Sequence, residues 1–427
     1  MDAYAGYYFD ETRLKESSSG GVASAIAEEI INRGGIVYGA AYSLDFYTAT
    51  YERAEKKEEL QKFKGSKYVY VNKVITREGK QVSVYKDAIS ELKQGRTILF
   101  TGLGCDISAL KTLAERESVD TDKLLTVELL CSGVTDEIVH REYVQNIEKI
   151  YGSKVIAFSA RYKKEGWSNL YFYAKFENGK EHIQPFFESD YGFAFANYKK
   201  KYCYDCKFKE HKGDLLVADY WGCRPGMEEY NQNGVSLIFV QSEKGNILLR
   251  YLNQTQFFLK KTNTNYALYS SPCYYSSHER YHKWDTFDII IREKGLREAV
   301  RKCIGIDVPE RFKEKTIDEI ILWGTGKCFH KYISLLWEMF SVSCVIDSNK
   351  NNWGKELEYG LTCQSPDVLK GKKNIMVIIM IQSINSAFQV VNKLLDMGIT
   401  EFEYINNWIR YADKELQFNL NENIKKF

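Results

Sequence analysis

Proline is scarce in this 427-residue chain: five residues, scattered, with no Pro-rich stretch to act as a linker. Long apolar runs are missing too. None reaches the ~18–20 residues of a membrane span, which excludes a membrane-spanning helix. Charge of one sign is not in excess: 59 Lys+Arg face 57 Asp+Glu, a net +2. No global field draws the chain to nucleic acid, so any basic patch has to be local. The first residues, "MDAYAGYYFDETRLKE", lack the basic end and apolar stretch of a signal peptide. The expected location is therefore the cytoplasm. There is no internal repeat and no low-complexity tract.

What is present is an ordinary globular balance, with 44% hydrophobic and 27% charged residues. The length exceeds what one small core serves and favours two domains. Ten cysteines stand out. In a cytoplasmic chain they do not read as a disulfide framework. They read as metal binding, redox chemistry or simple burial.

Residues 17–42, "SSSGGVASAIAEEIINRGGIVYGAAY", place three serines and two glycines before a helical pattern, then a glycine stop and an apolar strand. The loop Ser17, Ser18, Ser19, Gly20, Gly21 reads either as a plain helix cap or as a phosphate cradle at a helix start. Residues 96–131 form a second unit. "RTILFTGLGC" is a strand entering a glycine turn, "DISALKTLAER" a helix and "KLLTVELLC" a strand. At this length the unit is βαβ, so its strands are parallel. Cys105 lies just past the first strand and Cys131 ends the second, where open α/β sheets bind ligands. Adjacent strands ~4.8 Å apart would set the two thiols side by side. Residues 153–245 are richer in strands. Residues 251–315 are weakly patterned and read as connecting structure. From 316 to 412 a compact α/β module follows, with the turn Gly324-Thr325-Gly326 and Asp347 at the end of its second strand. The third glycine of a dinucleotide fingerprint is absent, so nucleotide or sugar-nucleotide binding and a purely structural Rossmann-like module both stay open.

The stretch "KKKYCYDCKFKEHKGD" supplies Cys203 and Cys206, two residues apart. A lone CxxC supports zinc, a dithiol redox pair or half of an iron–sulfur site. Zinc ribbons bring two such pairs, and a thioredoxin-type pair opens a helix after a strand. Cys105 and Cys131 at strand ends bring the count to four thiols, enough for a [4Fe–4S] cluster. Cys223 is a spare that stands close in sequence. Cys273, Cys303, Cys328, Cys344 and Cys363 lie outside the constellation, with burial expected for Cys328 and Cys344. His211 reads as a solvated loop residue. Lys199, Lys200, Lys201, Lys207, Lys209 and Lys212 surround the CxxC. They read either as a docking surface for an anionic partner or as a solubilised loop.

Seven separated motifs agree in order and spacing with one family. "SSSGGVASAIAEEIINRGGIVYGAAY", "KGSKYV", "LFTGLGCDISALK", "LLCSGV", "RYKKEGW", "CYDCKFK" and "DLLVADYWG" resemble the coenzyme F420 hydrogenase/dehydrogenase beta-subunit family over residues 1–250. The resemblance implies FAD, an iron–sulfur cluster, and electron passage between a reduced deazaflavin or ferredoxin and a second substrate. Cys105 matches the cysteine of the family's Gly-Thr-Pro-Cys-Gln, Cys131 that of Cys-His-Gly, and Cys203 and Cys206 its CxxC. Three departures stand out. Gly104 and Asp106 flank Cys105, Ser132 follows Cys131, and Ala218 precedes Asp219 and Trp221 where the family has Gly-Asp-Phe-Trp-Gly. The chain opens directly at the flavin domain, which implies a separate electron carrier. The terminal module resembles those appended to enzymes of surface-polysaccharide pathways.

The expectation is thus an α/β protein in three parts: a flavin and iron–sulfur domain with a mixed sheet (1–250), a connecting segment (251–315) and a small Rossmann-like module (316–412). The FAD diphosphate is expected at residues 17–21. Lys64, Ser66, Lys67, Thr101 and Arg161 are expected at phosphate or flavin oxygens, with Asp219 alongside. Trp167 and Trp221 are expected over the isoalloxazine ring. Partners are ferredoxin or another anionic carrier and a small-molecule substrate, with no nucleic acid; an oligomer is left open. The rival is a non-catalytic module, zinc-stabilised or metal-free, that binds a sugar nucleotide in a polysaccharide assembly.

Overall fold

The computed structural model describes residues 1–252, 256–304 and 317–408. The ends of the expected connecting segment (305–315) and terminal module (409–412) lie outside them. The chain divides into two compact units, Met1–Leu296 and Arg297–Phe427.

The first unit is built on one nine-stranded mixed sheet. Its strands are β1 (Asp2–Tyr8), β2 (Ile36–Tyr42), β3 (Ala49–Ala54) and β4 (Val71–Asn72), followed after a small hairpin, β5 (Val74–Arg77) and β6 (Lys80–Ser83), by β7 (Ile98–Leu103) and β8 (Leu124–Leu129). A separate antiparallel sheet holds β9 (Val155–Tyr162), β10 (Tyr171–Phe176) and β11 (Glu181–Pro185). The main sheet then resumes with β12 (Leu215–Asp219), β13 (Ser236–Val240) and β14 (Phe257–Thr262). The main order is β14-β1-β13-β12-β8-β7-β2-β3-β4. Its centre is parallel, β12 on β8, β8 on β7 and β7 on β2. The βαβ unit read from residues 96–131 is present: β7 and β8 pair in register from Ile98↔Leu124 to Leu103↔Leu129. The central strands are buried on both faces, which is why they read as near-continuous apolar runs.

Helix α1 (Glu11–Glu16) precedes the serine loop, and α2 (Val22–Asn32) follows it. In α2, Val22, Ile26, Ala27 and Ile30 form the buried stripe. Gly34 ends that helix at φ 75°, letting Gly34 and Gly35 donate back to Ile31 and Ile30. Then come α3 (Val84–Lys93) and α4 (Gly104–Arg116), the latter starting where β7 stops. Within the stretch read as connecting structure, β14 is the outer strand of the main sheet, paired antiparallel with β1.

The second unit is a five-stranded parallel sheet of β15 (Glu319–Trp323), β16 (Val342–Ile346), β17 (Cys363–Gln364), β18 (Ile375–Ile379) and β19 (Phe402–Tyr404). Helices Lys327–Met339 and Ile384–Asp396 connect its strands. The mixed α/β class and the Rossmann-like rhythm of the terminal module are as the sequence indicates. Among the described residues no helix is long and apolar enough to cross a membrane.

Candidate functional site

A cavity of about 320 Å³ opens at the carboxyl ends of β7, β8 and β12. Ser17, Ser18, Ser19, Gly21, Lys64, Ser66, Lys67, Thr101 and Asp219 line it, nine of the thirteen residues expected to hold a cofactor. The first residues of α2, Val22, Ala23 and Ser24, form part of the wall. No side chain caps this helix, whose cap residue is Gly21 at φ 90°. The serines bond elsewhere: Ser17 Oγ donates to Arg13 O, Ser19 Oγ to Val235 O, and Ser66 Oγ to Ser18 Oγ at 3.1 Å. The plain-cap reading of the loop is therefore corrected, because the serines' hydrogen bonds hold the loop in place and leave the helix start open. An uncapped helix start on a cavity suits an anion.

Gly20 is not in the wall. A Cβ there would stand 2.0 Å from Gly6 O and 2.7 Å from Ser236 N, so glycine lets the loop pass against the sheet. Lys67 is half-buried, donates to the carbonyls of Lys62, Lys64 and Gly65, and is pushed down to about 7 by desolvation. Its ammonium ties up its own loop. Lys64 pairs with Glu16 at 2.5 Å.

Arg161, Trp167 and Trp221 also stand outside the wall. Arg161 donates to both Asp219 oxygens (2.6 and 3.2 Å) and to Tyr68 Oη. Burial alone would lower its pKa, but the Asp219 charge and then Tyr68 hold it raised. Trp167 donates from Nε1 to Asp219 and stacks on Trp221, with centroids 4.7 Å apart and planes 7° off parallel. Arg161 and Trp167 hold Asp219 at the cavity edge, and Trp221 reaches it only through Trp167. Lys163, in the "RYKKEGW" motif, carried no signal in the sequence pattern. It donates to Leu14 O, Ser19 O and Asn233 O and so clamps the serine loop; burial pushes it down to about 7.

Of the four expected thiols, Cys131 belongs to the cavity wall. Cys105 sits in the first turn of α4. Burial, then Asp106, pushes its thiol up to about 12, with Cys131 and Cys203 close enough to add to the rise. Burial pushes Cys131 up to about 11, again with a contribution from Cys203. Cys203 is raised by burial and also feels Cys206. Cys105, Cys131 and Cys203 thus lie near enough to influence one another, and Cys206 acts on Cys203. Among the described residues no three His, Cys, Asp or Glu side chains make a ready-made cage for one metal ion. A cubane cluster asks for less convergence, because each thiolate binds a different iron.

Two cysteines change places relative to expectation. Cys223 packs in an apolar cluster with Ala3, Ala5 and Tyr220, and is raised by burial and Glu229, with no thiol among the causes. Cys273, set aside in the sequence, approaches the thiols. Lys209 Nζ donates to Cys131 O (3.0 Å) and Cys273 O (2.5 Å), and Lys199 feels Cys131, Cys203 and Cys273 together. Ser277 Oγ accepts from Cys206 N at 3.3 Å. Nothing in the pattern of residues 271–278 signals this, since only tertiary contacts bring the segment to the CxxC.

The lysine cluster is mostly engaged. Lys199 is 2% exposed, donates to Gly133 O and Phe195 O, and is pushed down to about 8 by burial. Lys200 pairs with Asp136, Lys201 with Asp285, Lys207 with Asp205 and Lys212 with Glu210. Four of the six lysines thus have an acidic partner, and Lys199 and Lys209 donate to backbone carbonyls. His211 is corrected as well: it is buried, with Nδ1 2.7 Å from Glu128 and Nε2 2.9 Å from Tyr274 O.

The first unit is thus an α/β scaffold with a strand-end cavity and one cysteine, Cys131, in its wall. Residues 3–75 match the amino-terminal part, and residues 95–265 the carboxy-terminal part, of the family described as coenzyme F420 hydrogenase/dehydrogenase, beta subunit; together they span more than half of the chain. This chain belongs to that family, whose members are electron-transfer subunits of oxidoreductases. A solved structure of the F420-reducing [NiFe] hydrogenase complex from Methanosarcina barkeri, studied by xenon derivatization, is similar at 18% identity and a TM-score of 0.42, covering 71% of this chain and 91% of that one. No curated protein matches.

Proposed function

We propose that this chain is an iron–sulfur flavoprotein that passes electrons from a reduced carrier, a ferredoxin or a deazaflavin, to a second substrate in the cytoplasm. The supporting observation is the shared wall: one cavity carries both an open helix start with a serine loop and Cys131 of the thiol group. The donor set fits both groups. Residues 17–19 and Gly21 at the start of α2 would hold a diphosphate, with Lys64, Ser66 and Thr101 nearby. Cys105, Cys131, Cys203 and Cys206 would hold a [4Fe–4S] cluster. When bound, flavin and cluster supply the hydride and one-electron chemistry. The chain's own part is to position them, exclude water with Phe63, Val217 and Leu130 in the wall, and keep Asp219 fixed through Arg161 and Trp167. The link to surface polysaccharide rests on the resemblance of the terminal module.

The test is anaerobic purification of the full chain. The expected product is yellow-brown, with stoichiometric FAD and about four iron and four sulfide per chain. Cys131→Ser and Cys203→Ser should each lower the iron count. A colourless protein, or iron unchanged in both variants, refutes the reading.

A further inference from the structure

The second unit has a cavity of its own, which the flavin and cluster reading does not use. It measures about 270 Å³ and opens at three strand ends: Trp323 closes β15 and residues 324–328 follow it, Asp347 and Ser348 follow β16, and residues 380–382 follow β18. From β15 the chain steps outward through β16 and β17, then returns to the other side of β15 for β18 and β19. The reversal lies between β15 and β18. In open parallel sheets the crevice outside such a reversal is the ligand site. Topology alone therefore locates this cavity as a binding site, before its lining is considered.

The lining sets the chemistry. Gly324 lies at φ 118°, and a Cβ there would come 3.0 Å from Met380 O, so the turn passes its neighbour closely only as glycine. At Gly326 an added Cβ would meet nothing within 4 Å. Helix Lys327–Met339 begins at this open point without a side-chain cap. Lys327 lines the cavity, and Lys393 reaches Ser348 Oγ at 3.3 Å. The single acid in the wall is engaged by the turn: Asp347 accepts from Thr325 N (2.9 Å), Thr325 Oγ1 (2.6 Å) and Asn349 N (2.8 Å). The wall thus offers one cation, Lys327, and the helix start to an anion, Ser348 and Gln382 to hydroxyls, and Trp323, Met380 and Ile381 as an apolar floor.

A dinucleotide does not suit this site. Phe329, fully buried, stands where the fingerprint needs its third glycine. Asp347, the residue placed to meet a ribose, already serves the turn. We propose that the cavity binds a phosphate ester of a sugar or nucleoside, no larger than a nucleoside diphosphate sugar, with its phosphate at Gly326 and Lys327 and its hydroxyls toward Ser348 and Gln382.

The experiment is calorimetric titration of the full chain with UDP, UDP-glucose, glucose 1-phosphate and NAD⁺, in wild type and Gly326→Val. Gly326 has φ −85° and ψ −161°, extended backbone that valine adopts freely, and the space around it is open. The variant should keep its circular dichroism and Tm. At least one phosphate ester should bind wild type saturably, and Gly326→Val should weaken it about tenfold or more. UDP against glucose 1-phosphate separates a nucleoside ester from a simple sugar ester. Lys327→Gln gives a second comparison and should lose affinity for the same probe. Three results overturn the proposal: no saturable heat with any ester, affinity unchanged in both variants (which places the binding elsewhere in the chain), or NAD⁺ as the tightest ligand.

Discussion

Arg161 was expected at the cofactor and is found holding Asp219, and a double-mutant cycle separates the two roles. The guanidinium side chain is 2% exposed and the carboxylate 20%. Removing either partner leaves a mostly buried charge without its counter-ion, at a cost of about 3–5 kcal/mol. Water reaches Asp219, so Arg161→Met should fall at the low end, about 3 kcal/mol. Asp219→Asn still accepts from Trp167 but strands the guanidinium, again at about 3 kcal/mol. The double variant should cost about 3 kcal/mol instead of the additive 6 or so, a coupling of about 3 kcal/mol, the upper end for directly paired groups. Urea unfolding of the full chain, followed by tryptophan fluorescence, measures all three. Flavin occupancy is the second readout. If Arg161 acts through Asp219, the double variant binds flavin no worse than Asp219→Asn alone. Additive stability losses, or a further loss of flavin when Arg161→Met is added to Asp219→Asn, would refute the reasoning.

Two more outcomes follow from buried groups. His140 is fully buried, bonds Phe46 O through Nε2 at 2.7 Å, leaves Nδ1 without a partner, and is pushed down to about 4 by burial from 6.5. The unfolded chain therefore binds the proton first. Stability is full above about pH 6.5 and falls toward pH 4 by about 3 kcal/mol, a slope that His140→Gln should flatten in acid titrations of urea stability. In the serine loop, Gly20→Ala should fail to fold, because its Cβ would meet Gly6 O at 2.0 Å. Ser18→Ala, which loses only the contact with Ser66, should fold normally and bind flavin up to about tenfold more weakly; normal folding of Gly20→Ala would contradict the account.

What the sequence disclosed was local. The β7–α4–β8 unit could be read because strand, helix and strand follow one another within residues 96–131, and the handedness and parallel pairing of such units leave little choice. That placed Cys105 and Cys131 at neighbouring strand ends without any knowledge of the rest. What escaped depends on residues far apart in the chain. The pairing of Lys200 with Asp136 and of Lys201 with Asp285 crosses 64 and 84 positions, so the local sequence does not show the acids that meet this loop in space. β14 escaped for a related reason: its alternation is weak because it is the outer strand of the sheet, with its partner at the start of the chain. Cys273 and His211 owe their positions to contacts between two irregular segments, where no periodicity exists to be read.

The departures around Cys105 bear on the proposed cluster site in a way the sequence alone leaves open. At Gly104 a Cβ would stand 2.7 Å from Glu128 Oε1 and 2.8 Å from Phe208 O. The position where relatives have proline is therefore closed by a buried carboxylate and by the CxxC loop itself, and only glycine fits. Asp106 places a charge where relatives have an amide, which alone would disfavour electrons arriving nearby. The fold answers that charge. Asp106 accepts from Tyr51 Oη and Tyr85 Oη, each at 2.9 Å, and from Leu103 N, and Lys73 Nζ lies 2.7 Å away. With a cation and three donors on one carboxylate, the local charge is close to balanced. Asp106 then acts as a fastener joining α4, β3 and α3 beneath Cys105, and its replacement by asparagine should loosen that junction before it alters any redox property.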